Sequence, residues 1–162
     1  MAHPEIFGIT GPSSLFKLIC DVYSDYYRSP NERDFLFLCF GLHHLREWIH
    51  STGNRRSGKE IENTPTADRT APEQFYIDIY QLEEFQVVRN FNNSGKHGSV
   101  ERNLHKTTIV NKPFTAGSPA GDALIQKHFQ LDEKNSRAVF ATLIATYRNW
   151  FEKQSNQKKQ DV

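Results

Sequence analysis

The sequence predicts a mainly α protein, a four-helix bundle with a small β-hairpin inserted before the last helix. Three observations carry this. Apolar residues recur at helical spacing in four separate segments. Serine and proline stand where those helices begin. Between the third and fourth segments the apolar period shortens to that of a strand, among β-branched residues and turn-forming Pro and Gly.

The first helix starts near Ser13 or Ser14 and runs to about Arg28, with Leu15, Ile19, Val22 and Tyr26 on its apolar stripe. Ser29, Pro30 and Glu32 form a capping box with proline at the first helical position, where its missing N–H costs nothing. The second helix follows, from Asn31 to about Ser51. Leu38, Leu42, Leu45 and Ile49 make one stripe, and Phe37, Phe40, His44 and Trp48 make its neighbour. So wide an apolar surface marks a central helix. Residues 53–71 are polar and read as a long loop, either mobile, the favoured reading, or functional.

Pro72 opens the third helix, whose buried face is Phe75, Ile79, Leu82 and Phe85. The asparagines 92 and 93 and Gly95 end it, with Gly95 suited to a left-handed cap. Thr107 to Val110 and Ala123 to Leu131 read as two antiparallel strands; a short helix from Ser118-Pro119 is the rival for the second. Residues 132–136 form a turn and cap, and the last helix runs to about Lys153 on Phe140, Ile144, Tyr147 and Phe151. One domain, 1–154, and a polar tail, 155–162, account for the chain of 162 residues.

The formal net charge is +1, so no global field draws the chain to nucleic acid or to an anionic membrane. Cys20 and Cys39 lie in helical apolar patterns, as free buried thiols do. The start has no basic and apolar leader, and the longest apolar run, 35–42, is far short of a membrane span. The expectation is a cytoplasmic protein without a membrane partner. Walker, dinucleotide-binding and nucleophile-elbow motifs are absent, and no cofactor is implied.

The richest chemistry lies in residues 87–97, VVRNFNNSGKH. Arg89 follows Phe85 by four residues and continues the buried face, so it needs a carboxylate, carbonyls or a phosphate. Asn90, Asn92 and Asn93 crowd the helix end, and Lys96 and His97 follow the Gly95 turn. Arg102, Lys106 and Lys112 extend a basic patch over 96–112, with His105 and one acid, Glu101. Two readings stand. Arg89 pairs with Glu47 or Glu83 while Asn93 and His97 cap the helix, or the cluster binds a phosphate and moves protons. His44, four residues from both Phe40 and Trp48, is either a core histidine or meets His97 or Arg89 across the bundle. Any site belongs between Arg89 and His97, beneath His44.

Two resemblances follow from these residues. A four-helix bundle with Arg89-Asn90 late in helix three and then His97 resembles the HEPN superfamily, many members of which are metal-independent RNases of toxin-antitoxin and phage-defence systems. That resemblance implies His97 as general acid or base on a ribose hydroxyl. It implies Arg89 as the group stabilising phosphate charge, with Asn90 orienting both, in a site shared across a homodimer. The second covers residues 14–153. His44-Leu45-Arg46-Glu47-Trp48, then Asn93-Ser94-Gly95-Lys96-His97, a hairpin and an aromatic last helix resemble a group of bacterial helical-domain proteins. It implies a bacterial or phage source and no particular reaction.

His43, Glu47 and His50 share one helix face and are acceptable zinc or iron ligands, or else a solvated face; the metalloprotease order H-E-x-x-H is missing, and no metal is assigned. Arg55, Arg56 and Lys59 read as solvated charges. The partners left open are a protein, a second copy, or RNA on the 96–112 patch, with Lys96, Arg102, Asn93 and His44 as binding residues. The primary expectation is a helical interaction or regulatory protein in a defence or toxin-antitoxin setting, and the alternative is the RNase.

Overall fold

Helix α1 (Pro12–Arg28) begins on Gly11, whose amide donates to the Ser14 hydroxyl at 3.1 Å while that hydroxyl donates back to the Gly11 carbonyl at 2.8 Å. The computed structural model describes residues 8–51, 56–97, 107–113 and 125–160. Helix α2 (Glu32–Ser51) is capped by Asn31 and not by Ser29. The Asn31 side chain accepts from the Asp34 amide at 3.0 Å and donates to the Asp34 carboxylate at 2.8 Å. Ser29 instead ends α1, its amide donating to the Asp25 carbonyl at 2.9 Å.

The stretch expected as a loop holds helix α3 (Gly58–Glu62) and a 3-10 turn, Thr66–Asp68. Its capping box is reciprocal: the Glu60 amide donates to Ser57 Oγ at 3.3 Å, and the Ser57 amide to Glu60 Oε2 at 2.6 Å. Arg69 stitches the end of the segment to the carbonyls of Thr64 and Glu62. Gly58 lies so near the Tyr76 hydroxyl that a Cβ would stand 2.8 Å from it.

The expected third helix is two helices, α4 (Ala71–Tyr80) and α5 (Glu83–His97). At the break, the amides of Gln81 and Leu82 turn to the carbonyls of Asp78 and Ile79, and Gln86 donates its side-chain amide to the Tyr80 carbonyl. Glu83 and Glu84 then supply negative charge to the first turn of α5. Helix α5 does not end at Asn92–Gly95; it continues through His97. Gly and Asn lower helix propensity by less than tertiary packing returns, and Asn92 is anchored by a 2.9 Å bond to the Cys39 carbonyl on α2.

Strands β1 (Thr107–Pro113) and β2 (Ile125–Leu131) form the expected antiparallel hairpin, with Ile109 opposite Phe129. A short third strand, β3 (Lys134–Asn135), extends the sheet to the order β1-β2-β3. Asp132 and Glu133 make the tight connection, both at positive φ, 48° and 65°. The alternative helix from Ser118 lies outside the described residues. Helix α6 (Ser136–Gln160) continues beyond Lys153 through most of the polar tail.

The fold is thus a mainly helical bundle of α1, α2, α4–α5 and α6 with the hairpin before the last helix. Ile19, Leu38, Leu42, Leu45, Ile49, Phe140 and Leu143 are completely buried along its axis. Each such side chain contributes about 1.5–3 kcal/mol relative to exposure. The sheet joins this core through Phe129, stacked on Phe35 at 5.2 Å, and through buried Leu131.

Candidate functional site

Because α5 is continuous, Arg89, Asn90, Asn93, Lys96 and His97 all lie on one helix. Eight residues of rise put Arg89 and His97 about 12 Å apart along its axis. Arg89 is half-buried, with its guanidinium 5.2 Å from the Tyr80 ring and 3.5 Å from Asn90 Oδ1. The carboxylates expected to hold it have other contacts: Glu47 lies 3.6 Å from Arg46, and Glu83 2.6 Å from Lys134. Arg102, Lys106, His105 and Glu101 lie outside the described residues, so the 96–112 basic patch is represented by Lys96 in α5 and Lys112 in β1.

His44 is exposed, contrary to the core reading. The reason is the direction of the α2 face. Its buried arc runs through Phe35, Leu38, Leu42, Leu45 and Ile49, and the Phe40–His44 row points the other way. His43 turns inward instead, with its ring stacked 5.9 Å from Phe85 on α5 and edge-on to His44 at 5.2 Å.

The residue that periodicity could have flagged is Arg46. It lies four after Leu42 and three before Ile49, inside the core stripe, and it is buried. Its guanidinium is sandwiched against aromatic faces, 3.3 Å from the Tyr76 ring centre, 4.8 Å from Tyr80 and 5.3 Å from Phe85. Nε donates to the Tyr76 carbonyl at 2.9 Å. Burial lowers its affinity for the proton, and the surrounding tyrosines and Glu47 oppose that shift.

A second buried polar group lies beside it. His50 Nε2 meets the Arg56 carbonyl at 2.6 Å, its ring against Tyr76 at 5.0 Å. Arg56 is not a solvated charge: it reaches Glu73 at 3.0 Å, and Glu73 is almost fully buried. The Thr70 amide, 2.8 Å away, does most to hold the Glu73 carboxyl below its ordinary range, helped by the Thr70 hydroxyl, Arg56 and His50. These contacts fasten the α3 segment onto α2 and α4. Among the described residues, no group of three His, Cys, Asp or Glu side chains is placed to hold a metal ion, and His43, Glu47 and His50 have the separate contacts given above.

A groove of about 490 Å³ lies between α4 and the end of α6, over Phe75, Ile79 and Trp150, with Asp78 and Lys153 on its rim. A smaller one of about 310 Å³ lies on the other side of Trp150, against Pro12 and Pro72.

The other surface feature is apolar. Leu36 and Phe40, one turn apart on α2, are 42% and 41% exposed. Leu18 on α1 is also exposed and directly precedes Ile19, which packs against Gly41. Half-buried Phe37 lies beside them. Leu36, Phe37 and Phe40 thus put three large apolar side chains, two of them exposed and one half-buried, on α2.

No described helix is long and apolar enough to cross a membrane. No family model, curated protein or solved structure matches the chain.

Proposed function

We propose that this chain is a helical interaction protein that docks a protein partner on the outer face of α2. The observation that carries the reading is the exposure of Leu36 and Phe40, adjacent on that face. The described polar groups with the strongest chemical potential support it from the other side. Arg46, His50, Glu73 and Asn92 are buried and hold elements together. The setting we propose is the cytoplasm, where free Cys20 and Cys39 persist as thiols, within a defence or toxin-antitoxin system. A photocrosslinking residue at position 36, introduced in the producing cell, tests the docking. Wild type should yield a discrete adduct that Phe40→Glu abolishes. Absence of any adduct dependent on Phe40 sinks the reading.

The RNase is the second reading. What favours it is that one continuous helix carries Arg89, Asn90 and His97. Incubation with structured RNA in chelator tests it. Cleavage by wild type no greater than by His97→Ala ends it.

A further inference from the structure

We infer that the partner on the outer face of α2 is a second copy of this chain, packed antiparallel about a two-fold axis at Phe40. The inference rests on the reading of that face as the docking surface.

The argument is the symmetry of the face about Phe40. Arg33 lies seven residues before Phe40 and Glu47 seven after; Leu36 lies four before and His44 four after. At 3.6 residues per turn these positions fall within an arc of about 80°. A two-fold interface brings a surface against itself, so it must be self-complementary. In an antiparallel pair centred on Phe40, Phe40 meets the partner's Phe40. Leu36 meets the partner's His44, and Arg33 meets the partner's Glu47. Both charge pairs are then attractive. Parallel packing in register sets arginine against arginine and glutamate against glutamate, so the charges also select the orientation.

Both charges are available for this. The side chains of Arg33 and Glu47 are 87% and 45% exposed. Arg33 pairs with its chain neighbour Asp34, and Glu47 with its chain neighbour Arg46 and the Tyr76 hydroxyl. Asp34 and Arg46 are themselves buried, with side chains 9% and 5% exposed, so a contact across the dimer adds to these pairs on the open side of each charge. A standard dimer buries about 800 Å² per partner, more than one helix face supplies. Phe37, which lies beside Gly41 where α1 packs, adds apolar surface on the α1 side of the face. Gly41 assists, since without a Cβ it lets Ile19, and so α1, lie close to α2.

Sedimentation velocity of the full chain tests this from about 1 to 200 µM, where interfaces of this size dissociate at the weak end of their range. Wild type should sediment as a dimer. Phe40→Glu should sediment as a monomer with unchanged circular dichroism, since the position is exposed. Leu36→Glu is the second apolar probe and should do the same. Arg33→Glu alone, or Glu47→Arg alone, should weaken the dimer about tenfold or more, and the two together should restore it. A wild type that stays monomeric overturns the inference. So does a dimer indifferent to Phe40→Glu, or a double reversal that restores nothing. The position-36 crosslink separates the two levels. An adduct with the mass of two chains supports self-association; an adduct of another mass overturns it and leaves the docking reading standing; no adduct removes both.

Discussion

The Tyr147 hydroxyl, on α6, donates a 2.7 Å hydrogen bond to the Leu42 carbonyl on α2, and both residues are completely buried. This bond crosses the centre of the bundle and sets the register of the last helix on the central one. Burial pushes the Tyr147 phenol far up, so it remains a donor at any pH at which the fold persists. Tyr147→Phe removes one buried hydrogen bond and almost no volume. The expected loss is about 1 kcal/mol in urea unfolding, with an unchanged slope. A loss near zero would mean that the bond contributes nothing net.

Arg46 should be the costliest polar position on α2. Arg46→Ala removes the side chain from between Tyr76, Tyr80 and Phe85 and opens a cavity, an expected cost of about 3 kcal/mol. Arg46→Met keeps most of the volume without a buried charge and should cost clearly less. Thermal melts of the two variants side by side decide this. Equal losses would assign the energy to the charge and its bond to the Tyr76 carbonyl instead of to packing.

Acid should loosen the α3 segment. The Glu73 carboxyl is held below its ordinary value of 4.5 by the Thr70 amide first, and Asp34 below 3.8 by Arg33 first. A carboxyl depressed in the folded state stabilises fully above its unfolded value, and that stability is lost as pH falls through the folded one. Stability should therefore be flat near neutrality and decline below about pH 4.5. Hydrogen exchange at Ser57 to Thr70 should rise there first. Glu73→Gln should lower the neutral plateau and flatten the acid slope; an unchanged slope would exclude Glu73 as its source.

The turn between β2 and β3 holds two non-glycine residues at positive φ, Asp132 and Glu133. A side chain with a Cβ is disfavoured there, and Asn-Gly is the pair such two-residue turns prefer. Replacing Asp132 by Asn and Glu133 by Gly should raise stability by about 1 kcal/mol. Differential scanning calorimetry reads this as a higher Tm. A lower Tm would show that the present side chains make contacts worth more than the relieved strain.

Much of the fold is legible before any coordinates. Leu38, Leu42, Leu45 and Ile49 repeat at helical spacing and are the core of α2. Phe129 and Leu131 alternate as a strand should and are both buried. Ser57 and Glu60 also spell a capping box, which the polarity of the surrounding stretch concealed. The α4–α5 break was not legible in the same way, because Gln81 and Leu82 are neither proline nor glycine. A helix of Phe75, Ile79, Leu82 and Phe85 satisfies the same periodicity whether or not it bends.

By itself, then, the sequence determined the four long helical stretches and the hairpin, because those depend on periodicity and caps within a few residues; it missed α3, the α4–α5 break and β3. It also determined that Arg89 and His97 are near one another along the chain. Only the tertiary structure decided which way each face points. On α2, Phe40, expected on an apolar stripe, is exposed, while the Arg46 guanidinium is buried. Periodicity assigns residues to the same face but carries no information on what the other helices bring to it. Tyr76, Tyr80 and Phe85 offer Arg46 aromatic faces and a carbonyl, which makes a buried cation tolerable. Phe40 is exposed because no described element of the same chain packs over it.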